Sequence, residues 1–434
     1  MKEISQATAL VWDHGLDIGL AERLARDDGF KRVLYHSPYQ EGFSIFDKAI
    51  LGWGVGRIER CNDPWRIKNE VDCFVFTDIE HSGEQEELES QGFAVWGARR
   101  GDSLELNRQK FHKILGDVGL DVPKFDLVMG MTKLKEYLKA NDKPCYIKSE
   151  RFRGSWETVH FRSWKLDQGM IEHRSCKLGK KGDLLAFLVF EPIETKLEIG
   201  GDTWNIDGLW PSLMLHGDEA KDKAYLSAVT RRTDMPPQIQ EILDAFGPIL
   251  KPYRYRQFWS MEDRVKGIHH YFGDATTRGP FPSSASHMEI WKNIPMIIYA
   301  GAHGELIEPE PVANHTCEVM VNIKAEEGME ATAELPKELE QWLKPADCYV
   351  IDGVLCIVPD AHEAGWMVAI DDTVEGVIGK IKAQCDLLPD GMSADLEPIG
   401  ELLEIVQEAE NKGIDFNGEV PPPEIVLAES GSEA

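Results

Sequence analysis

The stretch Trp259–Pro280, WSMEDRVKGIHHYFGDATTRGP, contains two acidic residues, Glu262 and Asp274, that are twelve positions apart. This spacing fits a pair of neighbouring strands. In a strand, successive side chains point to opposite faces, so Asp274, Thr276 and Arg278 are expected to share one face. Carboxylate oxygens suit Mg²⁺, and an adjacent arginine suits the phosphates that Mg²⁺ accompanies. The stretch therefore indicates a site for a metal ion and a nucleotide, although such a triplet also occurs on solvent-exposed strand faces.

The composition narrows the class of protein. A chain of 434 residues with 42% hydrophobic residues fits two or three globular domains. With 75 acidic against 47 basic residues, the net charge of −28 argues against binding to nucleic acid or to anionic lipid. The sequence has no stretch of 18 apolar residues, its first residues MKEISQATALVWDHG are not expected to act as a signal peptide, and its eight cysteines have no disulfide or metal-site spacing. We therefore expect a cytoplasmic protein with no nucleic-acid or membrane partner.

The first hundred residues alternate short apolar runs with amphipathic stretches, which predicts a parallel α/β unit of Rossmann-like winding. Its first strand ends at the turn Asp13–Gly15, where open sheets of this kind bind ligands. His14 in this turn fits either a substrate contact or packing at the start of the next helix. A helix is expected from Asp102, with a capping-box-like Glu105 three positions later and an end at Gly119.

The remaining sequence predicts portions of mixed α and β structure. One helix and several β-rich runs between 125 and 200 indicate a compact α+β lobe. Strand-like runs follow at Pro295–Tyr299 and Glu318–Ile323, and two helices come later. The proline-rich, acidic end from about residue 416 predicts a disordered tail. The expected fold class is therefore a multidomain chain of α/β and α+β type.

Four segments share the order and spacing of one known architecture: Gly92–Pro123, Lys143–Gly154, Leu188–Asp202 and Tyr271–Pro280. On these segments the chain resembles the ATP-grasp superfamily, and within it the carboxylate–amine ligases of the glycinamide ribonucleotide synthetase (phosphoribosylamine–glycine ligase) type. The resemblance covers roughly residues 70–410. It implies a Rossmann-like substrate domain at 1–100, an ATP-grasp domain at 101–300 with a lid lobe at about 125–195, and a C-terminal α/β domain at 301–415, before the tail at 416–434.

The resemblance also implies a set of residues that bind ATP. Arg108 matches a basic residue early in a helix, and Lys148, forty positions later, matches a phosphate-binding lysine on a strand. The hinge carboxylate near the adenine falls on Glu191, and the ribose-binding acid, seven positions later, falls on Glu198. Gly154 lies in the loop after Lys148, where such enzymes cover the phosphates with a mobile lid.

The closing pattern E-x₁₁-E-x-N-x-R of these enzymes is matched by Glu262, Asp274, Thr276 and Arg278, with Asp and Thr in place of the usual Glu and Asn. The resemblance implies that Glu262, Asp274 and Thr276 hold Mg²⁺. It also implies that Lys148 and Arg278 are catalytic, the first on the ATP phosphates and the second on the transferring phosphoryl group. Each residue taken alone also fits an ordinary exposed strand position.

The implied activity is ligation of a small carboxylate to an amine through an acyl phosphate, with release of ADP and phosphate, as in purine biosynthesis. Glycine is one candidate carboxylate. The segments DHGLDIG and TDIEHSG replace the glycine-rich turn and the GPE-like segment of the synthetases, so the co-substrate is not fixed. Two other interpretations stay open. One is a kinase with the same fold, and the other is a non-catalytic nucleotide-binding or scaffold protein, which Thr276 and the glycine-poor lid favour.

Overall fold

The computed structural model describes residues 1–38, 50–150, 158–195, 197–221, 223–326, 328–359, 361–411, 413 and 416. The N-terminal part forms a parallel sheet with the strand order β3-β2-β1-β4-β5. Its strands β1 and β4 are buried along nearly their whole length, as parallel strands covered on both faces are. This order confirms the Rossmann-like winding. The strands are β1 Thr8–Trp12, β2 Arg32–His36, β3 Glu59–Arg60, β4 Cys73–Phe76 and β5 Ala94–Trp96, and the helices are Ile18–Leu24, Pro64–Ile67 and Ser82–Ser90.

A second sheet is antiparallel and has the order β6-β9-β7-β8. Its strands are β6 Phe125–Met129, β7 Cys145–Ser149, β8 Thr158–Phe161 and β9 Ala186–Phe190. The helices Met131–Ala140 and Trp164–Leu178 pack on it through a separate apolar cluster that includes Leu138, Ile147 and Phe161. This sheet lies in the stretch for which the sequence predicts an α+β lobe.

The largest sheet is antiparallel and has the order β14-β13-β10-β11-β12-β15-β20-β17, with β21 paired to β15. A three-stranded sheet, β16-β19-β18, accompanies it. The pairing of β12 with β15 joins the chain on both sides of residue 300 in one sheet. The strands are β10 Glu198–Ile206, β11 Leu213–Ala220, β12 Ala224–Arg231, β13 Arg256–Lys266, β14 His269–Thr276, β15 His315–Ile323, β16 Ala331–Glu334, β17 Leu343–Pro345, β18 Cys348–Ile351, β19 Val354–Ile357, β20 Glu363–Asp371 and β21 Met392–Ala394.

The helices of this second half are Pro237–Leu250, Ser284–Ile290, Ile294–Ala302, Lys337–Glu340, Val374–Cys385 and Glu397–Asn411. Helix Glu397–Asn411 packs near β11 and β12, and helix Val374–Cys385 packs on β15 and β20. None of the described helices combines the length and the apolar character that crossing a bilayer would require.

The start of β13 is fixed to the first sheet. The backbones of Gly97 and Arg256 exchange hydrogen bonds of 2.7 and 3.2 Å. The indole N–H of Trp96 donates to the side-chain oxygen of Gln257 at 2.6 Å, and the Gln257 amide donates to the carbonyl of Phe76 at 2.5 Å. All three side chains are buried. The first sheet therefore sets the position of the strand that carries Glu262.

Two local expectations are wrong. The helix expected from Asp102 is interrupted: a short helix, Ser103–Leu106, ends at Asn107, whose side chain accepts a hydrogen bond from the backbone of Lys110 and starts a new helix. That helix, Arg108–Val118, does end at Gly119, which has a φ of 88°. Residues Ile294–Ala302, which include the expected strand Pro295–Tyr299, form a buried helix.

The tail expected from residue 416 lies outside the described residues, apart from Phe416 itself.

Candidate nucleotide and metal site

The hairpin of β13 and β14 carries the two acids of the opening stretch. A β-bulge lies between Met261 and Asp263, so Gly273 and Asp274 together lie opposite Glu262. Glu262 and Asp274 both line one cavity. The bulge therefore gathers the two carboxylates at one point of the hairpin.

Two cations from other elements reach Asp274. Lys148 of β7 forms a close ion pair through its Nζ atom with the Asp274 carboxylate. Arg108 begins the helix Arg108–Val118 and places its Nε atom 3.4 Å from Asp274 Oδ1, while its Nη1 atom donates to the carbonyl of Ser149 at 3.1 Å. Since Lys148 lies on the four-stranded sheet and Asp274 on the largest sheet, the ion pair joins the two sheets across the cleft.

The cleft between these sheets contains a cavity of about 310 Å³. That volume is within the range of small-molecule sites. One part of its wall is aromatic and aliphatic, formed by Tyr146, Phe190 and Ile193. The other part is charged, formed by Lys148, Glu198, Lys221, Glu262, Arg264 and Asp274. Apolar walls suit a base and charged walls suit phosphates, so the cavity has the character of a nucleotide site.

Burial and neighbouring charges set the protonation of two groups on this wall. Burial, and after it the charge of Glu262, raises the pKa of Glu198 to about 6, while Arg264 at 3.1 Å opposes the shift. Burial, and after it the charges of Lys148 and Arg108, lowers the pKa of His112 to about 4. His112 is therefore neutral at pH 7. The positive charge around Asp274 comes from the lysine and the arginine.

Among the predicted site residues, Glu191 has an exposed carboxylate and Gly154 is outside the described residues. Glu191 follows β9 and borders the cavity, yet its carboxylate is exposed and lies 3.2 Å from both Lys124 and Lys143. Gly154 falls in the stretch 151–157, outside the described residues.

Thr276 and Arg278 follow Asp274 along the chain. Thr276 is the last residue of β14 and lies opposite Ser260. It follows Asp274 by two positions, so both side chains are expected on the same face of the strand. Arg278 lies beyond the strand, with its Nε atom 3.1 Å from Glu105 Oε1 and 3.7 Å from Asp78 Oδ1. The structure therefore directs the Arg278 guanidinium towards the end of the first sheet, and Glu105 holds it there.

Arg264 and His81 were missed at the level of sequence, whereas His14 was considered for either a substrate contact or packing at the start of a helix. Arg264 follows Glu262 by two positions on β13, so strand periodicity would have placed both on one face. The Nε2 atoms of His14 and His81 are 2.7 Å apart, and His14 Nδ1 lies 3.5 Å from Asp78, which also faces Arg278. No sequence signal links these histidines to Arg278, because the fold alone brings the three segments together.

The oxygen donors of the hairpin fit a magnesium ion. Glu262 and Asp274 supply two carboxylates, the hard ligands that Mg²⁺ prefers. Within the described ranges, no group of three or more His, Cys, Asp or Glu side chains could hold a metal ion. Mg²⁺ is typically bound by one or two carboxylates, with substrate phosphates and water completing its shell. The donor set therefore suits a metal that arrives with a nucleotide.

Comparison with solved structures identifies the fold. The chain has the ATP-grasp fold, as the sequence predicted. A phosphoribosylamine–glycine ligase from Thermotoga maritima is 15% identical, with a TM-score of 0.65 over 89% of this chain and 98% of that one. An L-amino acid ligase from Bacillus licheniformis is 15% identical, with a TM-score of 0.58 over 89% and 98%.

A third similar structure is the biotin carboxylase domain of the 2-oxoglutarate carboxylase from Hydrogenobacter thermophilus, in complex with MgADP, ADP and bicarbonate. It is 12% identical, with a TM-score of 0.60 over 94% of this chain and 96% of that one. No protein-family model matches the chain, and no curated protein matches it.

Proposed function

We propose that the protein is a Mg²⁺- and ATP-dependent ligase that joins a small carboxylate to an amine and releases ADP and phosphate. The observation that carries this proposal is the convergence of Lys148 and Arg108 on Asp274, which lines one cavity together with Lys148 and Glu262. Phosphoryl transfer needs cations for the phosphates and carboxylates for the metal in one cleft. Two of the similar structures are ligases, and a third holds MgADP, which supports the assignment.

In this proposal the cavity binds ATP with its base on the apolar wall, near Phe190. Glu198 accepts from the ribose, and Glu191 stands at the hinge near the adenine. Lys148 and Arg108 neutralise phosphate oxygens. The resemblance adds Gly154 to the phosphate-binding residues.

Glu262 and Asp274 would hold Mg²⁺, with the hydroxyl of Thr276 next to them on the strand. When bound, the metal supplies positive charge to the β and γ phosphates. Lys148 on β7 and Arg108 on the helix Arg108–Val118 add further positive charge beside Asp274, so the neutralisation of the phosphates is shared among several groups.

The reaction divides into two transfers. In the first, a carboxylate oxygen of the substrate bonds to the γ phosphorus, and the bond to the β-phosphate oxygen breaks, so that ADP leaves with the electron pair. In the second, the amine nitrogen bonds to the acyl carbon, the bond from carbon to the phosphate oxygen breaks, and the amine loses a proton as phosphate leaves. Arg278 stabilises the charge on the transferring phosphoryl group and on the departing phosphate. Glu105 and Asp78 are positioning residues that orient its guanidinium.

The test is to incubate the protein with Mg-ATP and a matrix of carboxylates and amines, including the pair of glycine and phosphoribosylamine. ADP and free phosphate are measured together. Equimolar release that requires one carboxylate and one amine would support the ligase. A stable phosphorylated product without free phosphate would show a kinase, and bound ATP without turnover under any pair would favour a non-catalytic nucleotide-binding protein.

Replacing Arg278 with Met is expected to lower the turnover rate about 100-fold, because a preorganised charge on the transferring group is lost. The dissociation constant of ATP, measured by calorimetry, should change less than about threefold, since Arg278 acts mainly in the transition state. Arg57→Met, at an exposed arginine between β2 and β3, is the matched control and should leave the turnover rate and the dissociation constant of ATP unchanged. Equal losses in ATP affinity and turnover would show that Arg278 serves ground-state binding instead.

A further inference from the structure

A second cavity, of about 170 Å³, adjoins the nucleotide cavity. The two cavities share Glu198, Lys221, Glu262 and Arg264 in their walls. The wall of the second cavity also contains Asp202, Asp218, Glu219, Tyr225 and Ser260, which the nucleotide cavity does not share, and we call the whole of this second cavity the acidic cavity. Its volume holds roughly six groups of the size of water, at about 30 Å³ each. A short organic chain would therefore fill it.

Asp218 is the distinctive group of the acidic cavity. Asp218 is only 6% exposed, and it lines the cavity. Among the described residues it has neither a hydrogen-bond donor nor an ion-pair partner, and the charges that act on it are the carboxylates of Glu198 and Glu262. A buried carboxylate without a donor costs free energy. Asp218 therefore presents unused acceptor oxygens to whatever enters the cavity.

Asp202 contributes a second, preformed acceptor. It is 3% exposed and accepts a hydrogen bond of 2.6 Å from the Tyr225 hydroxyl. This donor fixes the orientation of its carboxylate. Burial raises the pKa of Asp202 to about 6 and the pKa of Asp218 to about 7, so a neighbouring cation would favour the charged form of both.

The balance of charge decides what kind of ligand the acidic cavity accepts. Its walls bring acids from three strands, whereas one of its two cations, Arg264, already pairs with Glu198 at 3.1 Å. A phosphate or a carboxylate placed beside Asp202 and Asp218 would be repelled. An ammonium group would gain charge-assisted hydrogen bonds to the oxygens that have no donor.

We propose that the acidic cavity binds an ammonium group of the amine co-substrate, with Asp218 as its principal partner, an assignment that rests on the ligase activity proposed above. The amine that attacks an acyl phosphate must be unprotonated, so it is a different nitrogen from the one held as a cation. The co-substrate therefore belongs to the class of small diamines and basic amino acids. A phosphorylated amine does not match this cavity.

The first experiment measures binding by calorimetry at pH 7.5 and 0.15 M salt, on the full chain with and without saturating Mg-ADP. The probes are putrescine and n-butylamine, both cations, against the neutral 1-butanol and the anion-bearing O-phosphoethanolamine. Both cations should bind at least about tenfold more tightly than 1-butanol, because only their ammonium groups can make a charge-assisted hydrogen bond to the buried carboxylate. O-phosphoethanolamine should bind most weakly. Equal affinity for butylamine and butanol would overturn the proposal.

The second experiment uses Asp218→Asn and a matched control, Asp244→Asn, at an exposed aspartate of helix Pro237–Leu250. The first variant should weaken putrescine binding about tenfold to hundredfold, and the control should not change it. Unchanged binding in Asp218→Asn would reject Asp218 as the partner. If that variant does not fold, the probe series on the unaltered protein still decides the point.

Two further outcomes separate this inference from the proposed function. Mg-ADP binding without binding of any cation probe would overturn the cation site and leave the ATP site standing. Asp218-dependent cation binding in a protein that does not bind Mg-ADP would retain the cation site and reject the ligase.

Displacement of putrescine by Mg²⁺ alone would assign the cavity to a metal ion and overturn the proposal. In turnover assays, n-butylamine should inhibit competitively against a diamine and should not be a substrate.

Discussion

Replacement of Asp274 with Asn is expected to reduce ADP formation about 1000-fold, or about 4 kcal/mol in activation free energy. Asp274 lies opposite Glu262 at the bulge of the hairpin and pairs with both Lys148 and Arg108. The substitution keeps the shape of the side chain and removes its charge. In the proposed function it therefore removes one of two carboxylate ligands of Mg²⁺ and the anion that positions both phosphate-binding cations.

The measurement is a titration of turnover with Mg²⁺ at saturating ATP, together with calorimetry of nucleotide binding. The Asn variant should require at least about tenfold more Mg²⁺, because a charged ligand contributes most of the affinity for a hard cation. Asp244→Asn, on an exposed helix face, serves as the control for a charge change of the same size. Turnover in the Asp274 variant equal to that of the control would refute the metal assignment.

The parts of the fold that local sequence determines were predicted well. The parallel α/β unit of Rossmann-like winding was predicted from alternating apolar runs and amphipathic stretches, and β1 to β5 form such a unit in the structure. The pair Glu262 and Asp274 could be recognised because both lie on one hairpin, where spacing along the chain fixes distance in space. Lys148 and Arg108 could be related to them only through the resemblance, because they lie on other elements.

The wrong expectations have physical causes that sequence patterns do not show. The run around Pro295–Tyr299 is short and almost wholly apolar, and such a run does not distinguish a buried strand from a buried helix. Pro295 stands in the first turn of the helix, a position that tolerates its missing N–H group. Glu105, expected to cap a helix from Asp102, accepts instead from the backbone of Thr277 at 2.9 Å and pairs with Arg278. A contact between such distant segments overrides the local capping preference.

The acidic cavity could not be predicted from sequence patterns either. Asp202 lies on β10 and Asp218 on β11, and neither belongs to a motif with a recognisable spacing. Their proximity to Glu262 depends on the order of strands β13, β10 and β11 in the largest sheet. Strand order is set by the whole chain, so a list of sequence motifs finds the metal hairpin and misses the cavity beside it.

The second large effect is expected in stability, at Glu318 in the middle of β15. This side chain is fully buried, with Oε2 accepting from the backbone of Ser286 at 2.6 Å and Oε1 without a partner among the described residues. Burial raises the pKa of Glu318 to about 8 from its ordinary 4.5. A carboxyl whose folded pKa is raised stabilises the fold fully below pH 4.5, and this contribution is lost as pH rises through 8.

The loss amounts to about 1.4 kcal/mol per pH unit between those two values, hence roughly 2.7 kcal/mol between pH 5.5 and pH 7.5. Glu318→Gln keeps the acceptor for Ser286 and cannot ionise, so it should match the unaltered protein only near pH 4, and should exceed it by roughly 1.4 kcal/mol at pH 5.5 and by roughly 4 kcal/mol at pH 7.5. Urea unfolding at the two pH values measures this difference, with Glu334→Gln, on the exposed face of β16, as the control. A Gln variant that is less stable at both pH values would mean that Glu318 is ionised in the folded protein and is held by a counter-charge.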